Sequence, residues 1–271
     1  MATIRDDRRV TRLTWLGHST VLIETGGRRI LTDPVLGHGI GPIRRRAEEI
    51  RHEVGVLDAV LISHLHHDHL DLDSLRSLNR DATFIIPAGG GRLLRRDFVD
   101  VREVADGDRL SIGELRLEAT PARHSGVRLP FGPRAPALGY LIDGDHRLYF
   151  AGDTDIFPGM RLLGPGLDMA ILPIGGWGPT LRGGHMDPAR AAAALTLLRP
   201  RSVMAMHWGT LWPIGLRRLR RDLFEAPFRT FAEIAATVAP EVRVVALDPG
   251  DGVTLDGRSV GALSPSAERP P

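Results

Sequence analysis

The stretch LISHLHHDHLDL, Leu61 to Leu72, packs His64, His66, His67, Asp68 and His69 into six positions. Imidazole and carboxylate are ligands that suit Zn, Fe or Mn. His64 and His66 stand two apart just past an apolar run, so both can point to one side of an extended segment and share an ion. Asp68 and His69 follow as the chain turns toward a helical pattern, where they can aim at a second ion nearby. A His-x-His-x-Asp-His run therefore suits two adjacent metals better than one. The rival account, a solvated polar turn, leaves unexplained why a buried strand should run into four histidines.

Two metals need more ligands than this cluster holds. His124 in TPARHSG, Asp153 in FAGDTD and His207 in MAMHWGT each follow an apolar, β-rich run and precede a Gly or another small residue that lets the backbone turn tightly. Strand ends on one edge of a sandwich converge in space, so these three residues are the candidates to complete the site. Cysteine is absent, which excludes disulfides and thiolate ligands and leaves metal binding to His and carboxylate.

The elements that must position these residues alternate along the chain. TRLTWLG, STVLIET and RRILTDP read as strands, the last two joined at Gly26-Gly27 as a hairpin. GHGIGPIRRRAEEIRHEVG, from Gly37 to Gly55, reads as a basic surface excursion. LDAVLIS is a buried strand that delivers the chain into the His cluster, and LDLDSLRSL then has helical spacing. Two more hairpins precede His124 and Asp153. DPARAAAALTLLRP is the clearest helix, with Asp187 as N-cap and Pro188 at its first position. One or two helices follow around Pro227, and EVRVVALDPGDGVTL supplies closing strands. The pattern predicts one domain over residues 1–256 and a flexible tail over 257–271. Hairpins among the alternating elements imply mixed sheets.

The 271 residues are enough to bury a sizeable core. A pI near 9.8 hints at nucleic acid, but the net charge is only +2 and every basic side chain is Arg, so no basic patch is implied. Nucleic acid is not an expected partner. No apolar run is long enough to span a membrane, and the charged N-terminus lacks the apolar stretch of a secretory signal, which together predict a cytoplasmic location.

HLHHDH, ARHSG, AGDTD and MHWGT, in that order, resemble the metallo-β-lactamase superfamily. The resemblance implies an α+β fold, a four-layer αββα sandwich with two divalent metals at one edge, zinc first and Mn or Fe as alternatives. By motif, His64, His66 and His124 would bind one metal, Asp68, His69 and His207 the other, and Asp153 would bridge them. WLGHSTVLIETGGRRILTDPVL, HMDPARAA and HWGT are similar to the group that holds N-acyl-phosphatidylethanolamine-hydrolysing phospholipase D and ascorbate-phosphate lactonase-like proteins. That likeness places His185, in GGHMDP, at a further active-site position, and the glycines before it fit a tight loop presenting a side chain. Asp33 and His18 are expected to support the metal loops. His67 is expected to stand outside the ligand set, and His38, His52 and His146 to lie on the surface.

The resulting expectation is hydrolysis of a phosphodiester, ester or lactone bond in a small, anionic substrate, with Asp68 orienting the attacking water and His185 contacting the substrate. Alternatives are a phospholipase D-like action on membrane lipid, for which LWPIGLRRLRRDLF could supply an interfacial helix, and a nucleic-acid-processing role, for which no added domain or arm is seen. Neither the substrate nor the oligomeric state follows from the sequence.

Overall fold

In a computed structural model of the chain, the structure describes residues 9–45, 54–128, 132–177, 181, 183–216, 220, 222–257 and 259–263. The strands of the first half are β1 (Val10–Gly17), β2 (Thr20–Thr25), β3 (Arg28–Thr32), β4 (Gly39–Ile40), β5 (Ile43–Arg45), β6 (Ala59–Leu61), β7 (Thr83–Pro87) and β8 (Val101–Val104). Those of the second half are β9 (Arg109–Ile112), β10 (Leu115–Pro121), β11 (Leu138–Asp143), β12 (Arg147–Phe150), β13 (Met169–Pro173), β14 (Ser202–Met206), β15 (Leu211–Pro213), β16 (Arg243–Val245), β17 (Gly252–Asp256) and β18 (Ser259–Leu263). The helices are α1 (Leu72–Arg76), α2 (Met160–Leu163), α3 (Pro188–Leu198) and α4 (Asp222–Val238).

Two mixed sheets stack face to face. One has the order β18-β17-β1-β2-β3-β6-β7-β8 and the other β16-β14-β13-β12-β11-β10-β9. Period-two alternation sorts the first sheet's side chains. Leu13, Trp15, Val21, Ile23, Ile30, Ala59, Leu61 and Ile85 point into a core shared with Leu117, Tyr140, Ile142, Leu148 and Phe150 of the second sheet. Leu22, Leu31, Val60, Phe84 and Ile86 point outward, where Leu70, Leu75, Leu78, Leu94 and Phe98 cover them. On the far side of the second sheet, α3 and α4 pack against each other and bury Ala191, Leu195, Leu198, Phe231 and Ala235 in the shared core. This is the four-layer α+β sandwich, with mixed sheets and helices outside.

Local chemistry explains the elements. Gly26 and Gly27 take φ of 56° and 67°, as the two-residue β2–β3 turn requires. Asp187 caps α3 by accepting from the Arg190 amide at 2.8 Å, and Pro188 opens the helix. α4 runs through Pro227 as one helix, because its apolar face, Phe224 and Phe231 among it, stays buried on both sides of the proline.

Two expectations need correction, the start of the tail and the place of His146. The tail does not begin at Gly257, since Ser259–Leu263 pair antiparallel with β17 across a turn at Gly257, which has φ 56°. The Asp256-Gly257 pair is itself a hairpin signal. Residues 264–271 lie outside the described residues. The excursion from Gly37 is partly ordered, as β4, β5 and β15 form a small third sheet. Arg45 turns inward there to donate to the carbonyls of Leu16, Val35 and Gly37. The rest of that basic run, 46–53, and His52 with it, lies outside the described residues, as does most of the Arg-rich centre after β15. His146 is not on the surface: it is 6% exposed and bonds Thr11 Oγ1 at 2.9 Å and the Gly257 carbonyl at 3.2 Å. His38 is exposed as expected.

Candidate metal centre

Strands β1, β3 and β6 run in one direction within the first sheet, and β10, β12, β13 and β14 run in one direction within the second. His18, Asp33 and His64 follow the C-terminal ends of the first three. His124, Asp153 and His207 follow those of β10, β12 and β14. The chain must turn sharply at this edge, and it does so in a region that side chains with a Cβ rarely adopt. His18, Asp33 and His207 have φ of 54°, 36° and 61°, and Arg199 is the other non-glycine residue of this kind among those described. Gly152, with φ 58°, sits so close to Ser63 that a Cβ there would collide with its side chain.

The ring orientations follow from what holds the outward nitrogen of each imidazole. His69 Nδ1 donates to Asp33 Oδ2 at 2.7 Å, His207 Nδ1 to the Gly175 carbonyl at 3.0 Å and His124 Nδ1 to the Gly184 carbonyl at 2.9 Å. Ser63 Oγ donates to Asp33 Oδ2 at 2.6 Å, so it accepts from His64 Nδ1 at 3.0 Å. With Nδ1 protonated in each ring, the Nε2 lone pairs of His64, His124 and His207 face inward. They meet at Asp153. Its carboxylate oxygens lie 3.1 Å from His207 Nε2, 3.2 Å from His69 Nε2, 3.4 Å from His185 Nδ1 and 4.0 Å from Nε2 of both His64 and His124.

Four sets of potential ligand atoms are close enough to share an ion. They are His64, His66 and His124; His18, Asp68, His69 and His207; His124, Asp153 and His185; and Asp33, His64 and His69. The first two match the sets read from the motifs, except that His18 joins the second: its Nε2 donates to Asp68 Oδ2 at 3.0 Å. The structure thus brings together all seven residues expected at the metals, with Asp33, His18 and His185 around them. His67 points away, exposed, and its Nδ1 accepts from Arg128.

The electrostatics favour a cation here. Burial, helped by neighbouring imidazoles, lowers His18 to about 3, His66 to about 4 and His64 well below its ordinary value. It also lowers His124 and His185. Burial alone would raise Asp68 and Asp153, but the imidazoles around them, His69 and His18 for one and His207 and His69 for the other, hold both well below the carboxylate range. His69 is the exception among the rings. Burial disfavours its charge, yet Asp153, Asp68 and Asp33 raise it well above 6.5. One positive charge is therefore drawn to the position where His69 Nε2 lies 3.0 Å from His207 Nε2.

The residues fit divalent metal. Nε2 of His64, Oδ1 of Asp153 and Nδ1 of His185 are buried and make no hydrogen bond. Orphaned polar atoms of this kind are costly, and a lone pair 3.1 Å from a carboxylate oxygen is repulsive without a cation between them. The lowered imidazoles of His64, His66 and His124 beside the carboxylates of Asp68 and Asp153, with Nδ1 of His64, His69, His124 and His207 anchored, are the donor chemistry of a hard-to-intermediate divalent ion.

Residues 28–208 match the model of the beta-lactamase superfamily domain. The chain belongs to that superfamily. Among relatives of this superfamily member, a UPF0173 metal-dependent hydrolase of Nitratidesulfovibrio vulgaris is 32% identical over 265 residues, covering 93% of this chain and 98% of that one. An uncharacterised protein of Mycobacterium tuberculosis is 33% identical over 225 residues, 76% of this chain, and the chain spans 60% of that protein's length. Among solved structures, Igni18, a metallo hydrolase of the archaeon Ignicoccus hospitalis, superposes with a TM-score of 0.68 at 26% identity, covering 91% of this chain and 98% of that one.

The supports of this superfamily site leave little trace in the sequence. Ser63, which links Asp33 to His64, lies next to the motif. The Gly175 and Gly184 carbonyls that orient His207 and His124 carry no side-chain signal at all.

Proposed function

We propose that the protein is a metal-dependent hydrolase with a dinuclear centre, His64, His66 and His124 on one ion, Asp68, His69 and His207 on the other, and Asp153 between them. The observation that carries this reading is the convergence of anchored imidazoles on the Asp153 carboxylate, with donors of both sets within 4.0 Å of it. Held by these residues, two divalent cations, zinc first, would supply Lewis-acid polarisation and would lower the pKa of a water to about 7. Asp68, fixed by His18, accepts a hydrogen bond from the attacking water and so orients it. His185, whose side chain is 19% exposed beside Asp153, reaches the substrate and donates to its developing or leaving oxygen. The buried side of the cluster keeps bulk water away from these charges.

The substrate class that fits best is a phosphodiester, ester or lactone. A second reading is favoured by the loop between Gly175 and Gly184. Its two ends orient His207 and His124, and it carries Trp177 and Leu181 at 42% and 38% exposure. Apolar side chains on such a loop suit an acyl-bearing substrate such as N-acyl-phosphatidylethanolamine. Metal analysis with a hydrolysis panel of phosphodiesters, lactones, thioesters and N-acyl-phosphatidylethanolamine tests both readings. Two metal equivalents per chain and turnover of one class are expected. A metal-replete protein holding one equivalent or less would sink the dinuclear reading.

A further inference from the structure

We propose that Arg128 is a positioning residue that clamps the turn His66–His69 and locks it to the segment carrying His124, an inference that rests on the metal-centre reading above. Arg128 is 8% exposed. Its Nη1 donates to the carbonyls of Leu65 and Leu70, both at 2.9 Å, and its Nη2 donates to His67 Nδ1 at 3.0 Å. Leu65 and Leu70 are the residues immediately before and after the tetrapeptide that supplies His66, Asp68 and His69. Inside that turn, the His66 carbonyl accepts from the amides of His69 at 3.1 Å and Leu70 at 2.8 Å. The guanidinium closes the same turn from outside.

The other end of the clamp is equally constrained. Arg128 lies four residues after His124 in a tight loop. Its amide donates to the Pro133 carbonyl, its own carbonyl accepts from the Gly132 amide, and Val127 bridges Arg134. Gly126 meets the Ala135 backbone so closely that no side chain fits there. The guanidinium therefore ties two segments about sixty positions apart in sequence, both bearing ligands of the first set.

A buried cation bonded, among the described residues, to two carbonyls and an imidazole is an unfavourable choice next to a centre proposed to bind divalent cations. Burial pushes its guanidinium down, and the carboxylate of Asp71 offsets this only in part. What the arginine contributes is geometry: a rigid planar fork that spans two carbonyls and a ring nitrogen at once, which an ammonium cannot do. It also accounts for His67, which stands outside the ligand set yet is held at the clamp.

The test uses the full chain, stripped of metal and titrated with Zn2+ against a chromophoric chelator, with the Co2+ absorption spectrum as a second readout. Arg128→Ala is expected to weaken zinc binding by about 10–100-fold, the range for groups that orient metal ligands, and to alter the Co2+ spectrum. Millimolar guanidinium should restore much of the affinity by filling the vacated fork. A lesion of the fold alone would not be repaired by a denaturing cation. His67→Ala should stay near wild type, because both carbonyl contacts remain. Where Arg128→Ala fails to fold, Arg128→Lys carries the test and should bind zinc more weakly. Wild-type affinity in either variant, or a loss in Arg128→Ala that guanidinium leaves unrepaired, overturns the clamp. A wild-type chain that takes up no zinc overturns the metal-centre reading itself, an outcome distinct from a variant that binds as well as the wild type.

Discussion

On the inner side of the cluster, the side chains of His18, Asp33, His64, His69, Asp153 and His207 are at most 1% exposed. On the outer side, His66 is only partly buried and the His185 side chain is 19% exposed, while His124, whose ring is 2% exposed, stands at the boundary. The inner residues are held by side chains and strained backbone: Asp33 and Ser63 fix His69 and His64, and three left-handed residues aim the rings. The outer residues depend on loops, His124 on the Gly184 carbonyl and His66 on the turn that Arg128 grips. The contrast separates two tasks. On the proposed function, the dry, over-determined inner half would hold charge in place, and the outer half, with His185, would meet the substrate and could vary with it.

The largest test of this division is Asp153→Ala, which removes the one carboxylate shared by both halves. Turnover should fall to background and metal stoichiometry should drop, measured by elemental analysis of the purified variant. Retained metal with retained turnover would erase the distinction between halves. On the outer side, His185→Gln should lower kcat by about 10²–10⁴-fold, the usual loss for a proton-donating group, at unchanged metal content. Loss of metal from this variant would move His185 from the substrate side to the ligand set.

Asp33→Asn on the inner side should weaken metal binding by about 10–100-fold, because His69 loses the carboxylate that sets its tautomer and orientation. Chelator competition reads this directly, and affinity equal to wild type would show that burial alone orients His69. The smallest effect concerns pH in the metal-free protein. His18 has a folded value of about 3 against an ordinary 6.5, so the native state binds fewer protons than the unfolded chain between these values. Its stability must then fall as the pH drops below about 6.5, by about 2 kcal/mol at pH 5 from His18 alone. Thermal melts of chelator-treated protein should show the midpoint decline from pH 7 to pH 5, with His64 and His66 adding to the fall and His69, whose value is raised, opposing it; a His18→Gln variant with the same slope as wild type would mean that His18 does not contribute.

Much of the centre was legible because its signals are local. A strand followed by His-x-His-x-Asp-His can be read within one stretch, and His124, Asp153 and His207 share the same strand-end signature. The burial of His146 and the strand β18 carry little local signal. His146 follows a glycine turn that looks exposed, and only the approach of β1 and Gly257 buries it. The strand Ser259–Leu263 has little propensity of its own and is ordered by an available sheet edge, the Asp256-Gly257 turn being its single local sign.

By itself, then, the sequence determined which residue types reach the edge of the sandwich, because alternation and strand ends are properties of short stretches. The packing of two sheets determined the rest: that Asp153 is where the imidazoles of His64, His69, His124 and His207 converge, that His18 grips Asp68, and that Arg128 bonds a turn some sixty positions upstream. Those are distances between segments remote in the chain, set by sheet register and by which backbone carbonyls remain unclaimed, and no local pattern of residues encodes them.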